Sequence, residues 1–151
     1  MFAKHIAAAA VAAFTLLASS AQANDVTVDG SGVLHVAIAG VSAARGHVRV
    51  AICSVSDFLK DCRYEGAAPA TPGVTVVTVK DLPPGVYAAQ AYEDRNDNHS
   101  VDRNILGVPR VGVGFSNNAP IHLAPPSFQS AAFTYAGGDQ TISFTLRHFG
   151  G

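Results

Sequence analysis

"GVLHVAIAGV", residues 32–41, alternates apolar and small or polar side chains along its length. Leu34, Val36 and Ile38 fall on one face, with His35, Ala37 and Ala39 on the other. A period of two is the mark of a strand that lays one face on a core. "GHVRVAIC", residues 46–53, repeats the device with Val48, Val50 and Ile52 inward and Arg49 outward, and the intervening "SAARG" is short enough for a hairpin. Ser56 is placed to cap a single helical turn over "DFLKDC" (57–62), which leads into a Gly/Ala/Pro-rich loop ending at Gly73. "VTVVTV" (74–79) is a third strand, and a turn at Pro83-Pro84-Gly85 opens a fourth, Val86 to Glu93. On that strand Val86, Ala88, Gln90 and Tyr92 share one face, and Tyr87, Ala89, Ala91 and Glu93 share the other. "SAAFTYA" (130–136) and "QTISFTLRH" (140–148) meet at Gly137-Gly138-Asp139, a hairpin signal. Short strands separated by turns predict an all-β chain, a single antiparallel β-sandwich of immunoglobulin-like or transthyretin-like kind.

The N-terminus predicts the compartment. Lys4 precedes the apolar run "IAAAAVAAFTLLA", and Ala21-Gln22-Ala23 ends the segment in the small-x-small pattern of a secretory cleavage site. Residues 1–23 therefore read as a signal peptide and residues 24–151 as one exported domain, periplasmic or extracellular, with no membrane span after cleavage. The chain carries ten Lys and Arg against eleven Asp and Glu. Without Lys4 the formal charge is about -2, which speaks against nucleic acid as a partner. An even pair of cysteines in an exported chain predicts a disulfide between Cys53 and Cys62, worth about 2.5–3 kcal/mol in the loop-entropy model.

Residues 93–126 do not follow the strand pattern, and a connection that long is usually functional or held by something. Within it "YEDRNDNHSVDRN" (92–104) spaces Asp94, Asn96 and Asn98 at the first, third and fifth positions of a calcium-type loop. Ser100 then offers a backbone carbonyl at the seventh position and Asp102 stands at the ninth. The sixth position, normally Gly, is His99, and the twelfth, normally a bidentate Glu, is Ile105. Two readings follow: a weak calcium site, or a run of Asx-turns in which Asp and Asn bond their own backbone.

The chain resembles the secreted bacterial family known as domain of unknown function 2141. The resemblance rests on "LHVAIAGV", "GHVRVAIC", "DLPPGVYAAQAYEDRNDNHSVD", "LGVPRVGVGFSNNA", "PPSFQSAAF" and "TISFTL", which occur in that order. Members typically carry His-Asp-x-Asn-Gly-Asn-Gly-x-Leu-Asp followed by Gly-Ile-Pro-x-Glu-x-x-Gly-Phe-Ser-Asn-Asn. Asp94, Asn96, Asn98 and Asp102 match the first pattern; Gly107, Pro109, Gly114, Phe115, Ser116, Asn117 and Asn118 match the second. Glu93 replaces the leading His, Asp97 and His99 replace the two loop glycines, and Val111 replaces the Glu. The resemblance implies a fold and a secreted life and assigns no activity.

"GVGFSNNA" (112–119) is a second candidate site, in which Phe115, Ser116, Asn117 and Asn118 would offer ring stacking and hydrogen bonds to a sugar. The alternative is a loop plug, with Phe115 in the core and its polar neighbours on the backbone. The chain has no GxSxG, HExxH, CxxC or phosphate-binding loop, and the histidines His35, His47, His99, His122 and His148 are scattered. The expected function is accordingly a binding or accessory module of the cell envelope, with a glycan or other envelope component as partner and calcium as the candidate cofactor. The alternative is an envelope hydrolase or carbohydrate-active enzyme that uses residues 93–118 as its site, and a purely structural protein is a third.

Overall fold

The computed structural model describes residues 32–150. The expected signal peptide and cleavage site lie outside the described residues. Among the described residues eight strands form two sheets: β1 (Leu34–Val41), β2 (His47–Cys53), β3 (Tyr64–Pro69), β4 (Gly73–Val79), β5 (Gly85–Asp94), β6 (Val113–Phe115), β7 (Ala132–Tyr135) and β8 (Gln140–Thr145). The smaller sheet runs β4-β1-β8, and the larger runs β3-β2-β5-β6 with β7 paired to the other half of the same β5 edge. A 3-10 turn (Ser116–Asn118) and a one-turn helix, α1 (Phe128–Ala131), complete the described elements.

The period-two faces are those expected. Leu34, Val36, Ile38, Val48, Ile52 and Val77 are fully buried, and with Tyr135 and Phe144 they form the core between the sheets. The partners of these strands differ from expectation in two places. "SAARG" does not close a hairpin: β1 pairs with β4 and β8, and β2 pairs with β3 and β5, so the segment is a crossover between sheets. Gly137-Gly138-Asp139 is likewise a crossover, from β7 in the larger sheet to β8 in the smaller, where β8 runs parallel to β1. Both segments join strands whose apolar faces look at one another across the core, which a sandwich satisfies as well as a hairpin does. All other pairings are antiparallel.

Two local expectations are also corrected. The loop expected before Gly73 contains β3, whose sequence "YEGAAP" lacks β-branched residues and is a strand because β2 supplies its register. The turn over "DFLKDC" begins two residues earlier than a Ser56 cap implies: the Phe58 amide donates to the Ser54 carbonyl, and the Ser54 hydroxyl donates to Asp57. Beneath this turn the Cys53–Cys62 disulfide joins the end of β2 to the chain entering β3.

The larger sheet carries a second, smaller core on its outer face. Ala88, Ala119 and Ala131 are buried there beneath Phe58, Phe115 and Phe128. Phe58 meets Phe115 and Phe128 edge to face at centroid distances of 5.9 and 5.7 Å. This cluster anchors the return of the long connection onto β5.

Candidate functional site

Beside that cluster the outer face of the larger sheet is open. Cross-strand register places two rows of side chains on it: Glu65, Ala51, Gln90 and Phe115 in one, and Ala67, Arg49, Tyr92 and Val113 in the next. These rows floor a cleft of about 940 Å³. One wall is the loop through His99, Val101 and Arg103 to Leu106 and Pro109; the other is Ile121 to Pro125. Leu106 and Leu123 stand at the lips, 81% and 107% exposed, where apolar side chains of that size are normally covered. The alanines keep the floor low, so Glu65, Gln90 and Tyr92 project from it between the walls. A few polar groups among apolar and aromatic side chains are the usual make-up of a small-ligand site.

The wall loop is built on Asp94, which ends β5 and is 1% exposed. Its Oδ2 accepts from the Arg49 Nε and, at 3.0 Å, from the His99 amide; its Oδ1 accepts from the Asn98 amide at 3.0 Å. Burial alone would raise the Asp94 carboxyl, but these donors and the Arg49 charge outweigh it and hold the group below its ordinary value. Asn96 and Asn98 donate their side-chain amides to Asp102 at 3.0 and 2.9 Å, and the Ser100 amide donates to the Asn98 side chain at 3.0 Å. The five residues expected to share one site are thus gathered in one hydrogen-bonded turn. Asp97 and His99 stand where the family pattern has glycine, and both adopt left-handed backbone, φ 53° and 62°. Asp and His are among the few side chains that tolerate it.

The donor set can be compared with what a hard cation needs. Asp94, Asn96, Asn98 and Asp102 offer only oxygen or amide ligands, and a half-turn of each Asn amide would exchange its nitrogen for its oxygen. The set contains two carboxylates, and one of them is already paired with Arg49. Among the described residues no group of three or more His, Cys, Asp or Glu side chains gathers to hold a metal. The Asp94, Asn96 and Asn98 oxygens already accept from the amides of Asn98, His99 and Ser100, as in a run of Asx-turns, so a cation would have to displace some of these bonds and the residues fit at most a weak oxygen site.

Ser116, Asn117 and Asn118 face elsewhere. The buried Ser116 hydroxyl accepts from the Ala89 amide and donates to the Ala131 carbonyl; Asn117 donates to the Ala132 carbonyl at 2.7 Å, and Asn118 accepts from the Thr145 amide at 2.9 Å. Phe115 alone of the four reaches the cleft, where it closes one row of the floor.

Glu93, next to Asp94, points the other way and is 1% exposed at the edge of the core. It accepts from the Ser42 amide and hydroxyl at 2.6 and 2.7 Å, from the Gly112 amide at 3.1 Å and from Arg95 at 3.2 Å. Burial opposes its charge, but the Ser42 and Gly112 donors and Arg95 prevail and lower its pKa. Gly112 leaves room for both neighbours, because a Cβ would lie 2.6 Å from the His148 ring and 3.0 Å from the Glu93 carboxylate and would push the His148 side chain aside. The period-two face of β5 contained the signal for this buried carboxylate, since Glu93 continues the series of Tyr87, Ala89 and Ala91.

The model of a family described as uncharacterized proteins conserved in bacteria, domain of unknown function 2141, matches residues 36–143. No curated protein and no solved structure matches the chain.

Proposed function

We propose that this chain, which belongs to that bacterial family, is an exported binding or accessory module of the cell envelope that holds a glycan or similar polar ligand on the outer face of its larger sheet. The observation that carries this reading is the walled cleft of about 940 Å³, with Glu65, Gln90 and Tyr92 on its floor. Amide and carboxylate side chains pair with hydroxyl groups, and the Tyr92 and Phe115 rings offer faces for sugar C–H groups. Export is supported by the signal-like residues 1–23 and by the disulfide, which persists in an oxidising compartment.

The Asp94–Asp102 turn acts as the fixed base of one wall, and weak calcium binding at Asp94, Asn96, Asn98, Ser100 and Asp102 would stiffen it. A dissociation constant of ~0.1–1 mM suits such an extracellular site. A glycan array probed with purified protein tests the ligand: binding that a Tyr92→Ala variant loses supports the cleft, and an array without a saturable hit removes the glycan. Thermal unfolding in chelator and in millimolar calcium tests the loop. At ten times the dissociation constant, calcium should stabilise the fold by about 1.4 kcal/mol, a shift of a few degrees, and Asp102→Asn should abolish the shift. An unshifted wild type would leave the turn held by its own hydrogen bonds.

A further inference from the structure

On the far side of the wall loop lies a second cavity of about 440 Å³, lined by Arg45, Arg95, Asn96, Asp102, Arg103, Arg110 and Val111. Four of the seven arginines of a chain whose formal charge is -1 converge on it. Three of them come from the connection between β5 and β6, and Arg45 comes from the segment before β2. Arg45 lies in the β1–β2 crossover and is set beside Arg95 because Gly46, at φ +65°, packs directly on the backbone of Asp94 and Arg95, where any Cβ would collide. Arg103 and Arg110 are brought together by the Arg103–Pro109 bridge and by the Arg110 amide, which donates to the Asp102 carbonyl at 2.8 Å.

Charge in the cavity is poorly balanced by the protein itself. Among the described residues Arg45, Arg103 and Arg110 enter no ion pair. Arg95 reaches Glu93 and Ser42 through one terminal nitrogen, while its buried Nε has no hydrogen-bond partner among the described residues. The one carboxylate in the lining, Asp102, is covered by the Asn96 and Asn98 amides. Four guanidinium groups against two carboxylates, Asp102 and Glu93, leave the cavity with excess positive charge, which a bound anion would balance.

We infer that this cavity is an anion site that takes a phosphoryl group, free or carried by a lipid headgroup, through the guanidinium forks of Arg45 and Arg110, with Arg95, held by Glu93 and Ser42, and Arg103, which donates to the Gly107 carbonyl, adding positive charge. Guanidinium is the side-chain group best matched to phosphate oxygens, because its paired N–H donors bind two of them at once. The cavity lies within the volume range of ordinary ligand sites and has Val111 as its single apolar lining residue, so it suits a polar headgroup and not an apolar chain. It shares Arg103 with the wall of the outer-face cleft but does not depend on the reading given to that cleft.

The test uses purified protein in chelator, so that no metal bridges the anion, titrated with inorganic phosphate and pyrophosphate by calorimetry and floated with phosphatidylglycerol or phosphatidylcholine vesicles. Saturable binding of the free anions, weakened at least tenfold in Arg45→Ala/Arg110→Ala and unchanged in Arg63→Ala, supports the site with a soluble ligand. Flotation with phosphatidylglycerol alone, lost in the same double variant, supports it with a lipid headgroup. Arg45 and Arg110 are exposed and enter no ion pair, so the double variant should melt within a few degrees of wild type. No saturable binding to either probe, or equal binding by the double variant, overturns the inference.

Discussion

Two adjacent carboxylates leave the end of β5 on opposite faces of the sheet, and the structure around each follows from what it recruits. Apart from the neighbouring Arg95, Glu93 gathers donors from distant parts of the chain: Ser42 in the β1–β2 crossover and Gly112 ahead of β6, with His148 at 3.8 Å. Asp94 gathers Arg49 from β2 but otherwise the amides of its own loop, Asn98 and His99. Both are buried anions with lowered pKa. One ties the two sheets and the C-terminal segment together; the other shapes a wall loop. A buried charge thus stabilises the whole fold only as far as its donors are spread through the chain.

Substitution should separate the two most clearly. Glu93→Gln leaves Arg95 facing a neutral amide and should cost about 3 kcal/mol, the low end for breaking a buried pair because Arg95 is itself about a third exposed. Asp94→Asn also breaks a buried pair, with Arg49, but Arg49 keeps Asp97 at 3.5 Å, so the change should cost less, about 2 kcal/mol, and part of that cost should appear as local opening. Urea denaturation of both variants, with amide exchange across residues 95–102, measures the difference. Equal losses, or exchange in Glu93→Gln that rises only near residue 93, would erase the contrast.

Acid should affect both carboxylates in the same sense. Because their folded pKa values lie below the unfolded ones, their stabilisation is complete near neutral pH. It is lost progressively below about pH 5 as the unfolded chain takes up protons first, until the folded groups are protonated too. The urea midpoint of wild type should therefore fall between pH 6 and pH 3, and that of Glu93→Gln should fall less steeply. A variant curve parallel to wild type would remove Glu93 from the account.

The smallest effect concerns the backbone of the Asp94 loop. His99 holds φ 62°, so His99→Val should be destabilised relative to His99→Gly by about 1–2 kcal/mol, read as a few degrees in Tm. Equal melting temperatures would mean that the left-handed turn relaxes without cost.

Sequence spacing alone placed the core faces of β1 and β2, the Cys53–Cys62 pair and the gathering of Asp94, Asn96, Asn98 and Asp102 into one turn, because each is a local property: strand alternation, an even cysteine count or oxygens two residues apart. Strand partnership was decided only in three dimensions. The same alternation in "LHVAIAGV" and "HVRVAIC" suits a hairpin or two facing sheets, and the second won because it buries both apolar faces against each other. The outer-face cleft depends on β3, whose weak strand sequence drew its conformation from β2. The arginine cavity joins residues 45, 95, 103 and 110, and no spacing along a chain foretells which like charges packing will bring together.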